Sequence, residues 1–252
     1  LALAAFALSA NLAWAQEEQT PIDIVSGIAK KEVANVHVHY PSGTCNVKAN
    51  NTNPSTTTVY AQNDNNGTPV TIASEWGSYK VVQSPANNFN ALCGAYVTVG
   101  NDNNATTYNL VQFHFHTPSE HTFNGSKAPV EVHFVHINSA GCLGNPVQPG
   151  TRPLLVIGAF ITPGNGKELD KLFQPGTVPA YPGIDLSTLL PAEPNGYYHY
   201  DGGLTAPNTD CPWNEGNKVQ QLVSGDFPES VNWYVLSDVL HLNAASIAEM
   251  QA

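Results

Sequence analysis

The segments QFHFH, residues 112–116, and EVHFVH, residues 131–136, decide the fold of this chain. Polar and apolar side chains alternate throughout the first segment and over residues 131–134 of the second. Successive side chains of a β-strand point to opposite faces of the sheet. His114 and His116 therefore share one face, while the phenylalanines beside them point into a core. The two segments predict paired strands that carry several imidazoles on one surface.

A tight turn between these segments sets how they pair. Asn124-Gly125 is typical of a two-residue β-hairpin loop, and a hairpin closed there places His133 opposite His116. Pro118 and Pro129 interrupt that ladder, so a bulge can shift the register. In either case we expect the three rings to converge.

Converging imidazoles suit a metal ion. Zn²⁺ held by three neutral imidazoles keeps a fourth tetrahedral position for water, as catalytic zinc sites do, and lowers the pKa of that water to about 7. His114, His116 and His133 are therefore candidate Zn²⁺ ligands. Gln112 shares the face of His114, and Glu131 that of His133. An amide oxygen and a carboxylate in these positions could accept hydrogen bonds from the ligand rings.

Composition limits the class of protein. The chain has 252 residues, of which 12% are charged and 42% hydrophobic, with 20 glycines and 19 prolines. This length fits one domain with a sizeable core, and so few charges argue against coiled coils and helical arrays. The formal net charge of −11 repels nucleic-acid phosphates and anionic membranes, so we expect no nucleic-acid partner.

Short alternating runs recur along the chain between clusters of Asn, Gly, Pro and Ser, a pattern typical of strands joined by turns. The predicted strands are 33–40, 57–62, 69–73, 95–99, 108–116, 130–138, 154–161 and 231–236. The predicted helical stretches are 167–173, 184–190 and 244–250. The sequence thus predicts a single domain that is mainly β, or α+β in detail, with a few short helices.

The first residues are typical of a secretory signal. An apolar run at 1–8 precedes a small-x-small site at 13–15, and polar residues follow directly. We expect residues 1–15 to be a signal-peptide-like segment and residues 16–252 to form an exported domain. No later stretch approaches the roughly 20 apolar residues that a membrane span needs, so we expect no membrane span.

Export makes the cysteines candidates for two disulfides. They are Cys45, Cys93, Cys142 and Cys211, and sequence alone leaves all three connectivities open. None lies in a C-x-x-C pair, which favours disulfides over zinc binding.

Taken together, these residues resemble the α-class carbonic anhydrases. The similarity covers roughly residues 21–250 and is most specific in the two histidine segments. The matching segments are 21–24, 65–67, 112–116, 119–122, 131–136, 202–207 and 232–236.

The resemblance implies an enzyme built on a large twisted, mostly antiparallel sheet that reversibly hydrates CO₂ to bicarbonate and a proton. His114, His116 and His133 would hold Zn²⁺, and zinc-bound hydroxide would attack CO₂. Thr205 would accept a hydrogen bond from that hydroxide while donating its own proton to Glu120. Sulfonamide or anion inhibitors are expected at the zinc.

The resemblance also implies an apolar pocket wall for CO₂, a nonpolar substrate that needs positioning more than hydrogen bonding. The matching residues are Val135, Val156, Leu204 and Trp233. On the same basis, the segment after EVHFVH and the loop after Thr205 flank one pocket. This implies Cys142 paired with Cys211, and hence Cys45 with Cys93.

Several positions depart from the family. Thr68 stands where fast members carry a proton-shuttling His, and a Thr hydroxyl does not relay protons near pH 7. Compared with the family, we expect a chain truncated at both ends, without the N-terminal aromatic segment and a C-terminal stretch, as either a fragment or a trimmed fold. Residues 209–228 make a longer loop than usual.

Two other interpretations compete with an active carbonic anhydrase. One is a catalytically weak or silent relative that serves in storage, adhesion or a matrix, although such relatives usually lose a ligand His. Another zinc hydrolase is disfavoured because the chain has no H-E-x-x-H motif. His37 and His39 form a second H-x-H without matching support, so we predict no ligand role for them. In the two-residue alternation of the strands, His121 and His136 fall on the opposite face from the ligands. They are predicted to be hydrogen-bonded structural histidines.

Overall fold

A computed structural model describes residues 20–26, 31–32, 35–45, 47–50, 58–61, 79–80, 91–100, 104–138, 154–172, 184–191, 194–203 and 231–251. Seventeen strands lie within these residues: β1 Asp23–Ile24, β2 Lys31–Glu32, β3 Val36–His39, β4 Thr44–Cys45, β5 Val47–Asn50, β6 Thr58–Ala61, β7 Tyr79–Lys80, β8 Tyr96–Val99, β9 Thr106–His116, β10 Thr122–Phe123, β11 Ser126–Lys127, β12 Val130–Ile137, β13 Leu154–Pro163, β14 Ile184–Asp185, β15 Tyr197–Gly202, β16 Val231–Leu236 and β17 Leu240–Leu242. The helix α1 is Ala244–Gln251, and short 3₁₀ helices span Leu92–Gly94, Leu169–Leu172 and Leu186–Thr188.

A ten-stranded sheet organises the described part of the chain. Its order is β2-β15-β16-β13-β12-β9-β8-β3, with β17 added beside β13 and β7 beside β9. Pairing is antiparallel except where β13 meets β16 and β17. The predicted mainly β fold with a large, mostly antiparallel sheet is therefore confirmed. Among the described residues, no helix has both the length and the apolarity to cross a membrane.

Most predicted strands appear with shifted ends, and 69–73 lies outside the described residues. The helix at 244–250 is confirmed as α1, whereas 167–173 and 184–190 contain only short 3₁₀ helices. Strand β15, Tyr197–Gly202, was not predicted from the sequence.

The predicted register of the histidine strands is wrong by two residues. Around Asn124-Gly125 the hairpin pairs as expected, with Phe123 opposite Ser126. Further along, His133 lies opposite His114, and His116 lies opposite Glu131. The two prolines between the hairpin and the long strands lack the N–H that a ladder needs, so the register changes there. Since two is the side-chain period, all three imidazoles keep one face.

Each face of the sheet buries its own apolar cluster. Phe113 and Phe115 are fully buried on the face away from the imidazoles, as predicted, and Phe134 packs against Phe113. On the imidazole face, Trp233 and Ile24 belong to a second cluster. Buried apolar side chains therefore lie on both faces of the sheet that carries the imidazoles.

A disulfide connects the sheet to its surroundings. Cys45 on β4 bonds to Cys93 in the 3₁₀ helix before β8, across 48 residues of chain. This is one of the two pairs that the resemblance implied. Cys142 and Cys211 lie outside the described residues.

A buried polar pair lies in the core opposite the imidazole face. His136 Nδ1 donates to the Leu155 carbonyl at 3.2 Å, so its Nε2 must accept the hydroxyl proton of Tyr40, 2.8 Å away. Burial lowers the pKa of His136 from its ordinary value to about 3, and burial raises the pKa of Tyr40. His136 is thus a hydrogen-bonded structural histidine, as predicted.

We predict that His136 makes the fold sensitive to acid. Because its folded pKa is below the unfolded value of about 6.5, the unfolded chain binds the proton more tightly. The stability that neutral His136 contributes is present above pH 6.5 and is lost as the pH falls toward 3. Relative to His136→Asn, the metal-free wild type should lose up to about 1.4 kcal/mol of unfolding free energy per pH unit in that window.

Urea unfolding at several pH values measures this difference. His39→Asn, at an exposed strand position, is the matched control and should keep the wild-type pH dependence. Parallel curves for wild type and His136→Asn would contradict the prediction.

Candidate metal centre

Three imidazoles meet on one face of β9 and β12. The ring centroids of His114, His116 and His133 lie 4.6 to 5.2 Å apart. One ring nitrogen from each lies within 4.8 Å of the others, a spacing that could hold a metal ion. The predicted ligand trio is therefore brought together by alternation within the strands and pairing between them.

Glu131 organises the support of His133. Its buried carboxylate accepts His133 Nε2–H at 2.9 Å, which leaves the Nδ1 lone pair facing the other two imidazoles. The same carboxylate accepts the backbone N–H groups of Glu120 and His121 and the side-chain N–H of His121. Burial alone would raise the pKa of Glu131, but the imidazoles of His133 and His121 lower it well below its ordinary value. Glu131 is therefore an ionised acceptor for four N–H groups.

His121 extends this network away from the trio. Its Nδ1 donates to Glu131 at 2.6 Å, and its Nε2 accepts from the Tyr200 hydroxyl at 2.7 Å. It is fully buried and structural, as predicted. Tyr200 was missed because β15 was missed, although the alternation of Tyr198 and Tyr200 beside the turn residues at 201–203 was a readable strand signal.

A carboxylate lies at the mouth of the trio. Glu120 Oε2 is 3.4 Å from His116 Nε2 and 3.8 Å from His133 Nδ1. Within the described residues, His116 Nε2 and Glu120 Oε2 are buried and make no hydrogen bond. Burial and the neighbouring His133 lower the pKa of His116 to about 3. The His116 ring is therefore neutral near pH 7, and protons would scarcely compete with a metal ion for its nitrogen.

An apolar row lies beside the imidazoles. Strand register aligns Val135, Val156, Trp233 and Tyr200 across β12, β13, β16 and β15, and all four belong to one buried cluster. The predicted wall residues Val135, Val156 and Trp233 are thus neighbours. Gly158 lies opposite His133, and a Cβ there would come within 3.2 Å of Glu131 Oε1. A larger side chain at position 158 would press against the Glu131 carboxylate, which accepts the hydrogen bond from His133.

Some predicted site residues are beyond what the structure describes. They are Thr68, Leu204 and Thr205, together with the side chain of Gln112. Trp233 Nε1 donates to the Gly203 carbonyl at 2.8 Å, so Gly203 lies beside this wall.

The family model that matches this sequence is that of the eukaryotic-type carbonic anhydrases, over residues 8–212. The chain belongs to this family. Its matched residues include the imidazole trio and Glu131, which form the centre described above.

Individual carbonic anhydrases show the same relationship. Carbonic anhydrase 6 of Homo sapiens is 28% identical over 164 residues, which are 58% of this chain and 47% of that protein. The carbonic anhydrase of Neisseria gonorrhoeae is 31% identical over 147 residues, 56% of this chain and 47% of that protein. The chain spans about half the length of the curated relatives it matches.

A solved structure shares the fold. The α-carbonic anhydrase of Thermovibrio ammonificans, in complex with the inhibitor sulfanilamide, is 29% identical with a TM-score of 0.55. The alignment covers 92% of this chain and 77% of that one.

Histidines outside the trio make local contacts. His39 stacks on Tyr96 and lies 3.2 Å from the Thr98 hydroxyl. His199 stacks on Tyr234. No group of three potential ligands among the described residues includes His37 or His39.

We predict that Glu131→Gln weakens zinc binding about 10- to 100-fold, the usual cost of losing the partner of a ligand imidazole. In the glutamine side chain an NH₂ group replaces one of the two carboxylate oxygens, and this group cannot accept hydrogen bonds. The two N–H groups that face it therefore lose their acceptor. Competition with a chromophoric chelator measures the affinity.

Glu168→Gln is the matched control for this change. Glu168 also accepts a backbone N–H, from Asp185 at 2.9 Å, but it is not part of the imidazole trio or of its hydrogen-bonded support. Equal loss of affinity in both variants would contradict the prediction.

Proposed function

We propose that this protein is an active zinc carbonic anhydrase that reversibly hydrates CO₂ to bicarbonate and a proton. The observation that carries this proposal is the meeting of three imidazole nitrogens within 4.8 Å on a chain of this family. The relatives named above are called carbonic anhydrases, which supports the same reaction here.

The residues present fit zinc. His133 presents Nδ1 because Glu131 takes its other nitrogen, and His116 Nε2 is buried without a hydrogen-bond partner among the described residues. Three imidazoles without a thiolate are the ligand set of an open catalytic zinc site, whereas structural sites use four protein ligands. Held by these residues, Zn²⁺ would act as a Lewis acid, the chemistry by which water becomes a nucleophile at neutral pH.

The protein's own groups would orient this chemistry. Thr205 would donate its hydroxyl proton to Glu120, so that its lone pairs face the nucleophile. Glu120 lies suitably for this role, with Oε2 within 3.8 Å of two trio nitrogens. The role of Gln112 would be to accept a hydrogen bond from His114.

Substrate binding would depend on the apolar wall. Val135, Val156 and Trp233 are at most 7% exposed, and Leu204 would complete the wall. Such a surface favours linear, nonpolar CO₂ over charged bicarbonate, which helps release the product. Sulfonamides and small anions would bind at the same zinc.

We also propose an exported protein, with residues 1–15 as the signal and residues 16–252 as one domain. The Cys45–Cys93 disulfide supports this because disulfides persist in oxidising compartments.

One experiment tests the function. The purified mature chain should contain zinc, accelerate CO₂ hydration in a stopped-flow pH-indicator assay, and lose this activity with a sulfonamide or with His116→Ala. Full zinc occupancy without hydration would favour the alternative, a catalytically silent relative serving in storage, adhesion or a matrix.

We predict that proton transfer limits this enzyme, because Thr68 occupies the position where the resemblance implies a shuttle His. Thr68→His should raise the turnover number in dilute buffer, and imidazole buffer should raise that of the wild type. Thr68→Gln is the control, since an amide does not titrate near pH 7. If neither His nor imidazole raises the buffer-limited rate, the prediction is wrong.

A further inference from the structure

His116 is the ligand at the end of its strand. β9 ends at His116, and on one side the last pairing with β12 joins His116 to Glu131. On the other side, the two described residues of β7 pair with Phe115 and His114. His114 thus has described partners on both sides, Lys80 on β7 and His133 on β12. Among the described residues, ladder pairing braces the main chain at His116 from β12.

The ring of His116 also lacks the support that His133 has. Glu131 fixes the orientation of His133 through a 2.9 Å hydrogen bond. Over the described ranges, no hydrogen bond orients the His116 ring, and its polar contact is with Glu120 at 3.4 Å. Its direction must depend more heavily on the backbone that carries it.

The next residue supplies a brace from another element. The Thr117 hydroxyl donates to the Met250 carbonyl at 3.2 Å. Met250 lies in the last turn of α1. The bond thus joins the residue after a metal ligand to a helix that lies far away in sequence.

That helix is anchored at both ends. Asp170 accepts the backbone and side-chain N–H groups of Asn243, and Asn243 in turn accepts the backbone N–H of Ser246 in the first turn. Ile247 and Met250 are buried in the core. A helix held in this way is a firm support for Thr117.

We propose that Thr117 is a positioning residue for His116: its hydroxyl ties the end of β9 to the Met250 carbonyl of α1 and so fixes the direction of the ligand imidazole. This inference rests on the proposed function in assuming that the trio binds zinc. It assigns Thr117 no contact with substrate.

Thr117→Val tests the bond because it removes the hydroxyl and keeps the β-branched shape. The zinc Kd should rise about threefold to tenfold, the worth of one hydrogen bond. The visible absorption bands of the Co²⁺-substituted protein should shift, since they report the geometry of the ligands. Thr117→Ser retains a hydroxyl and should restore both properties.

Two controls separate positioning from general stability. Thr107→Val makes the same change at an exposed position of β9 and should leave the Kd and the spectrum unchanged. Gln251→Ala removes another contact near the helix end, a 3.2 Å bond from Gln251 Nε2 to the Pro129 carbonyl before β12. It should lower thermal stability but leave zinc affinity within twofold.

The outcomes separate this inference from the proposed function. A Thr117→Val protein with wild-type Kd and Co²⁺ spectrum overturns the positioning role, as does a Gln251→Ala protein that loses as much affinity. Wild type that binds zinc without hydrating CO₂ overturns the function alone, because the affinity comparison still decides the role of Thr117. Wild type that binds no zinc overturns both.

Discussion

A buried carboxylate that accepts four N–H groups is the interaction on which this site depends. Glu131 satisfies His133, His121 and two backbone amides in one place. An isolated buried charge would be costly, and this one is stabilised because every neighbour donates to it. The same bonds determine which nitrogen of His133 faces the metal position and hold the chain at Glu120. The ionisation of Glu131, the tautomer of His133 and the backbone path at Glu120 are therefore determined by the same hydrogen bonds.

Strand alternation explains why so much could be read from the sequence. The shared face of the imidazoles, the burial of Phe113 and Phe115 and the support of His133 by Glu131 all follow from a period of two residues. The register of β9 and β12 could not be derived from this alternation. The sequence does not show at which residue near Pro118 and Pro129 the ladder is interrupted. A shift of two residues changed the β9 partner of His133 from His116 to His114 without moving His133 to another face.

Other features lie outside what local patterns reveal. The bond of Tyr200 to His121, the room left by Gly158 and the contact of Thr117 with Met250 each join segments far apart in the chain. Strand β15 escaped prediction because its tyrosines lead into Asp and Gly, which are typical of turns. Such contacts depend on the three-dimensional arrangement of the sheet, so local sequence patterns do not reveal them.

The mixed pairing of the central sheet bears on how the chain reaches its native state. His133 meets His114 across a short stretch of chain, whereas Leu154 of β13 meets Val231 of β16 across a much longer one. Contacts of small sequence separation form quickly, and those of large separation wait for slow loop closure. The ligand hairpin is thus expected to assemble early, with a nascent metal centre open to solvent until the later strands arrive.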